Sequence, residues 1–250
     1  MLGDAPRFDA ASAVRLARDL FGLDGHATQL TSERDQNFLI EAVNGERAVL
    51  KIANAGENAA LLDAQQRAMA HIAPAFSMAP HVHPTKTGEA TASVTGADGR
   101  HHFAWAVTHL PGVPLANQRH RTSALLEDFG SRIGALARAL ADFDHPALHR
   151  DFHWDLARGL ATIAKRRPLI ADAGLGAAID TLGERFGRNT APLLSALRTS
   201  TIHGDLNDNN VLVGGGNDLY SRRQQVVGIV DFGDMVHSYT VGDLAIAAAY

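Results

Sequence analysis

The 250-residue chain carries 23 Lys and Arg against 27 Asp and Glu, a formal net charge of −4 with histidine neutral. That balance gives no global positive field for nucleic acid, and the basic residues form no tail. The absence of cysteine excludes disulfides and thiolate metal sites and points to a reducing cytoplasm, while the sequence opens on no secretory pattern and holds no apolar run near the ~18 residues of a membrane span.

Taken in chain order, Asp9 to Phe21 reads as a helix, with Val14, Leu16, Ala17, Leu20 and Phe21 at three- and four-residue steps and Gly22 as its stop. Strands are predicted at Ala27–Leu30, Phe38–Val43 and Arg47–Ala53, with Asn44-Gly45 as the hairpin turn between the last two. Glu57–Ile72 is helical again. Thr91–Val94 and Phe103–Thr108 read as another hairpin. Leu110-Pro111-Gly112-Val113-Pro114 punctuates the chain and sets a lobe boundary, giving a first lobe at 1–110 and a second at 111–250. Ser123 is the expected cap of a helix carrying Phe129, Ile133, Leu136 and Leu140. Further helices are expected at Asp155–Arg166, Gly176–Phe186 and Pro192–Leu197. Two short apolar strands follow, Val211–Val213 and Val226–Val230, separated in part by a Gly214-Gly215-Gly216 loop tip. A strand-rich first lobe and a helix-rich second lobe make an α+β, two-lobed layout, with the cleft between lobes as the place for a ligand.

The segment His203-Gly204-Asp205-Leu206-Asn207-Asp208-Asn209-Asn210-Val211 crowds Asp and Asn ahead of an apolar strand. Asp205 and Asn210 have the spacing of a kinase catalytic loop, where the Asp receives a hydroxyl proton and the Asn holds a metal. Gly228-Ile229-Val230-Asp231-Phe232-Gly233 is a buried strand whose Asp231 carboxylate would emerge to chelate Mg²⁺. Lys51 lies inside the apolar strand Ala48–Ile52, where a lysine is costly unless paired; it would reach the nucleotide phosphates. Val49, on the same strand face, would cover the adenine ring. A kinase lysine commonly pairs with a carboxylate on the next helix. The helical frame offers Asp63 for that role, with Glu57 next in line. The loop Thr31–Asn37 contains no glycine, yet its backbone N–H groups and the Ser32 hydroxyl suit phosphate. The pairs His81/His83 and His101/His102 lack carboxylates at ligand spacing and read as surface loop. His149-Arg150-Asp151-Phe152-His153-Trp154-Asp155 either lines an acceptor pocket or joins two helices.

Together these segments resemble the aminoglycoside phosphotransferase family, which has the protein-kinase-like fold. The resemblance rests on His203–Asn210, Asp231-Phe232-Gly233, Lys51 and Gly242-Asp243-Leu244-Ala245, whose Asp supports the catalytic loop in that family. It is closer to the branch containing hydroxylysine kinase and the domains fused to class-III aminotransferases, through Asp35-Gln36-Asn37-Phe38, His149-Arg150-Asp151-Phe152 with Trp154, and Gly228–Met235. It covers essentially the whole chain. It implies Mg²⁺-dependent transfer of a phosphate from ATP or GTP to an amino alcohol or hydroxy amino acid. Asp234, Asp151 and Asp155 are then candidates for the acceptor's ammonium group and Arg150 for its carboxylate. The alternatives are an aminoglycoside acceptor, or a nucleotide-binding regulatory module without turnover. Asp63 departs from the family's usual Glu. Family members continue with helices beyond the position of Tyr250, so the second lobe is expected to be incomplete, as in the first domain of an aminotransferase fusion.

Overall fold

The computed structural model describes residues 5–215 and 224–250. Gly216 of the expected glycine loop lies outside them.

The chain opens with α1 (Ala10–Leu16), capped by the Asp9 carboxylate, which accepts from the Ser12 backbone N–H at 2.7 Å. One wider π turn, Ala17–Phe21, continues it, and Gly22 ends it at φ 74°. Three antiparallel strands follow: β1 (Gly25–Leu30), β2 (Gln36–Ala42) and β3 (Arg47–Ile52). The hairpin at Asn44-Gly45 fixes the β2–β3 register, with Leu50 opposite Phe38 and Lys51 opposite Asn37. Next come α2 (Ala59–Ile72), β4 (Val82–His83), β5 (Ala92–Thr95) and β6 (His101–Thr108). Strand β6 pairs with β3, β4 and β5, completing a six-stranded antiparallel sheet.

The pleat of this sheet sorts its residues. Phe38, Ile40, Ala48, Leu50, Ile52, Ala104 and Ala106 are buried together with Ala13, Ala17 and Phe21 of the first helix. Val49 and Val107 belong instead to the larger core that includes α2. Lys51 lies two residues past Val49 on the same face, so strand alternation carries it to the cleft side.

After β6 come β7 (Val113–Pro114) and α3 (Ser123–Ala139). Thr122, rather than Ser123, caps α3, its hydroxyl accepting from Leu125 N–H at 3.2 Å. The two hydroxyl residues are adjacent, and the chain entering the helix decides which stands at its edge. After α4 (Gly159–Arg166) and α5 (Ala173–Asn189) come four short strands. They are β8 (Thr199–Ile202), β9 (Val211–Gly214), β10 (Gln225–Ile229) and β11 (Val236–Tyr239), followed by α6 (Gly242–Ala249). They form two small sheets, β10-β9-β7 and β11-β8. Strands β4, β7, β8 and β11 are absent from the sequence expectation: each has only two to four residues and no hairpin partner adjacent in sequence to reveal it. Among the described residues no helix is long and apolar enough to cross a membrane.

One core runs through both lobes. Leu62, Met69 and Ile72 of α2 pack in the same cluster as Leu125, Leu136, Leu148, Leu206 and Phe232. Two polar contacts seat α2 on the segment after α3: His71 with Asp142 at 2.9 Å and Asp63 with His145 at 3.2 Å. His102, expected on a surface loop, is 2% exposed on β6, and its ring meets the Ala53 carbonyl at 2.9 Å. Strand pairing turned it inward, where that carbonyl offsets part of the cost of burying the imidazole.

Candidate active site

The cleft between the lobes gathers Lys51 from β3, Trp105 from β6, the β1–β2 loop from Ser32 to Asp35, Glu57 and Gln65, with Asp205, Asp231 and Asp234 facing them. These groups come from segments far apart in sequence, and each is aimed by its own local structure.

Asp205 follows β8. Its carboxylate accepts from the Asn207 side-chain amide at 2.7 Å and from the Asn210 amide at 2.8 Å. The Asn210 nitrogen also donates to the Asp205 carbonyl at 2.9 Å. With that nitrogen committed, the amide oxygen of Asn210 is the atom left to bind a cation. The Val230 N–H donates to the Asn210 carbonyl at 2.9 Å, so the loop is tied to the strand that delivers Asp231.

The loop itself is held from behind. Asp243, on α6 and 1% exposed, accepts from His203 N–H at 3.0 Å and from Gly204 N–H at 2.9 Å. Burial pushes its carboxyl above the usual range, and His203 and the two backbone donors work against that shift. Gly204 has φ 82°, and a Cβ there would stand 2.3 Å from the Asp234 carbonyl oxygen, so the two halves of the site meet through glycine alone. The His203 ring contacts the Val230 carbonyl at 3.1 Å and lies edge-on to Phe232, with centroids 4.7 Å apart.

Asp231 is the only non-glycine with positive φ among the described residues, at φ 64° and ψ 71°. That strain turns its carboxylate out of the strand and into the cleft. It meets Lys51 Nζ at 3.4 Å, the lysine side chain being 14% exposed and the aspartate 56%. The ammonium beside it holds the Asp231 carboxyl below its ordinary value. Lys51 also lies 5.1 Å from the centre of the Trp105 ring, its neighbour in the β3–β6 register.

The structure corrects the pairing expected for Lys51. Asp63 lies on another face of α2, where it binds Arg67 at 2.8 Å and His145 at 3.2 Å. The α2 residues lining the cleft with Lys51 are Leu62 and Gln65, of which Gln65 is the polar one. A helix turns about 100° per residue, so two positions move a side chain to nearly the opposite face. Glu57, before α2, also lines the cleft, and burial raises its carboxyl.

The acceptor candidates separate in the same way. Asp151 is 82% exposed and paired with Arg158 at 3.2 Å. Asp155 is buried, capping the turn at Leu156 by accepting from Ala157 N–H at 2.9 Å and bonding Ser238. Neither lines the cleft. Arg150 braces the loop after Asp231: its Nη2 donates to the Met235 carbonyl at 2.8 Å and to that of Gly233 at 3.4 Å, and its guanidinium stacks on Phe152. Arg150 is thus held to main chain and is not among the residues lining the cleft. Asp234 does line the cleft, touching Arg34 at 3.3 Å across the lobes. Asp35 of the same loop accepts from the Asn54 backbone and side-chain nitrogens at 3.0 and 3.2 Å, fastening the loop to the end of β3. Arg34, Gln65 and Trp105 were not singled out from the sequence. Trp105 was the most accessible of these, since it alternates in phase with β6 residues, but its register with Lys51 is a tertiary fact.

The cleft thus sets Lys51 against three carboxylates from distant parts of the chain, those of Asp205, Asp231 and Asp234. The chain matches the phosphotransferase enzyme family over residues 26–250. It belongs to that family. Hydroxylysine kinase from Mus musculus is 30% identical over 268 residues, an alignment covering 98% of this chain and 69% of that protein. The Xenopus laevis hydroxylysine kinase is 29% identical, covering 98% and 70%. Among solved structures, a microcompartment-associated aminopropanol kinase superposes with TM-score 0.71 at 17% identity, over 95% of this chain and 74% of that one. An aminoglycoside 2′-phosphotransferase in complex with GDP superposes with TM-score 0.64 at 16% identity, over 93% and 75%. This family member therefore has the two-lobed kinase-like fold, and it is a small-molecule phosphotransferase acting on hydroxyl groups.

For this phosphotransferase the acidic wall of the cleft has a thermodynamic signature. Burial raises the Asp234 carboxyl above its ordinary 3.8, with Asp205 and Asp231 adding to the shift and Arg34 and Arg150 opposing it. The folded chain thus holds that proton at pH values where the unfolded chain has released it. The contribution to stability is complete below 3.8 and is lost as pH rises through the raised value. Melting curves of wild type and Asp234→Asn across the acid range should show the variant gaining on wild type as pH rises. A constant difference would mean that Asp234 titrates normally.

Proposed function

We propose that this chain transfers the γ-phosphate of ATP or GTP, with Mg²⁺, to the hydroxyl group of a small amino alcohol or hydroxy amino acid. The observation that carries the reading is the Asp205 carboxylate, fixed by two amides and facing the Lys51–Asp231 pair across one cleft.

The donor set fits a hard cation: the Asp231 carboxylate lines the cleft, and Asn210, whose amide nitrogen is held by Asp205, keeps its amide oxygen as a ligand. When bound there, Mg²⁺ would neutralise the charge that gathers on the phosphate oxygens. Lys51 would steady the nucleotide phosphates, with the β1–β2 loop and the Ser32 hydroxyl covering them and Val49 on the same face of β3 toward the base. Asp205 would orient the acceptor hydroxyl and take its proton. An alcohol is far less acidic than a carboxylic acid, so that transfer comes late, once the new P–O bond is forming. Positioning therefore supplies most of the acceleration.

The acceptor class follows from the charges left over. Asp234 and Glu57 line the cleft beyond the groups assigned to metal and proton, and they suit an ammonium group. Arg34, from the facing loop, is the cation placed for a substrate carboxylate. The kinships with hydroxylysine kinases and the aminopropanol kinase support the same class. The test is a phosphate-transfer assay with ATP and GTP, with and without EDTA, against hydroxylysine, aminopropanol, ethanolamine and a set of aminoglycosides. Metal-dependent turnover of an amino alcohol or hydroxy amino acid is expected. Turnover of aminoglycosides alone would overturn the acceptor, and nucleotide binding without turnover of any of them would overturn the kinase reading.

A further inference from the structure

Outside the cleft, Asp144, His149 and His237 converge. Among the described residues they are the one group of three metal-ligating side chains whose ligand atoms all lie within 4.8 Å of one another. The Asp144 carboxylate meets His149 Nε2 at 2.8 Å, and the His149 and His237 rings stack with centroids 4.4 Å apart and planes inclined by 21°. Asp144 and His149 belong to the segment between α3 and α4, while His237 comes from β11, so two distant parts of the chain meet here.

Local structure gives this meeting no other strong reason. Asp144 is 62% exposed and His149 48%, and an ion pair so wetted contributes little. Two stacked imidazoles repel if both are protonated, whereas two neutral ones present lone pairs that a cation can share.

We infer that Asp144, His149 and His237 form a site for a borderline divalent transition metal, represented by Zn²⁺, that clips the α3–α4 segment to β11. Two imidazoles and one carboxylate suit Zn²⁺ and discriminate against the hard, oxygen-seeking cation suited to the cleft. Ligand atoms about 2.0–2.2 Å from a tetrahedral metal lie about 3.4 Å from one another. The ligand atoms, now within 4.8 Å of one another, would draw together by this difference on binding. A water completes the fourth position.

The placement gives the clip a consequence. His149 immediately precedes Arg150, and His237 lies two residues past Met235, so the metal would join the same two segments that Arg150 joins through the Met235 and Gly233 carbonyls. It would reinforce the brace behind the loop that follows Asp231, without touching reactants.

The test uses the metal-stripped full chain in excess Mg²⁺, which occupies the cleft carboxylates. Zn²⁺ is titrated in competition with a chromophoric chelator, and melting temperature is read in parallel. One equivalent should bind and raise the melting temperature. His149→Ala and His237→Ala should each weaken binding at least about tenfold and abolish the thermal shift, while the double variant His81→Ala/His83→Ala leaves both unchanged. If His237→Ala misfolds, the exposed His149→Ala decides alone. No stoichiometric binding, binding that survives His149→Ala, or binding lost with His81 and His83 would each overturn the inference.

Discussion

Asp205→Ala is expected to lower kcat by about 10²–10⁴-fold, the usual cost of losing a general base, while nucleotide affinity stays near wild type. The structure explains why the two effects should separate. Asp205 accepts from Asn207 and Asn210 through its side chain, but Asn210 also donates to the Asp205 carbonyl, which the substitution retains. Lys51 is held by Asp231, and the β1–β2 loop by Asn54, rather than by Asp205. Single-turnover rates and a nucleotide binding isotherm on the same preparation check both halves. Wild-type turnover in the variant would remove Asp205 from the chemistry, and lost nucleotide binding would mean that the loop had collapsed instead.

The second large effect is on stability. Asp243→Ala removes the one acceptor for the His203 and Gly204 N–H groups in a site where Asp243 is 1% exposed. Two buried donors left without partners cost about 2–6 kcal/mol together. The carboxylate's own desolvation penalty, visible in its raised pKa, is recovered and trims that loss. Asp243→Asn is little better, because its amide turns at least one donor toward another donor. The urea midpoint should fall clearly, and activity should fall further than the unfolded fraction accounts for, since the segment released carries Asp205. An unchanged midpoint would show that the two N–H groups find other partners and that Asp243 is not the support.

How much of this was legible beforehand differs by residue. Lys51 was readable because strand alternation is local: with Leu50 buried on one face, its neighbour must face the other, and Asn44-Gly45 fixes the register without outside help. Asp205 and Asn210 were readable because their contact spans five residues in one loop. Asp231 was readable as a strand end, although its left-handed backbone was not.

Asp63 shows where such reading stops. The sequence put it on the helix after Lys51, but the rotation of α2 about its axis was set by Leu62, Met69 and Ile72 entering the second lobe's core and by His145 receiving the Asp63 carboxylate. Asp151 and Asp155 failed as acceptor groups for the same reason: loop side chains take their directions from the partners they find, here Arg158 and Ser238. By itself, then, the sequence determined the α+β class, the order of the two lobes, and those site groups whose geometry is local. Only the tertiary structure decided which faces meet: Gln65 rather than Asp63 lining the cleft, Arg34 reaching Asp234, and Asp243 beneath Gly204. The physical reason is range. Strand alternation and tight loops are fixed by covalent geometry over a few residues, whereas helix rotation and loop side-chain direction are settled by packing between segments far apart along the chain.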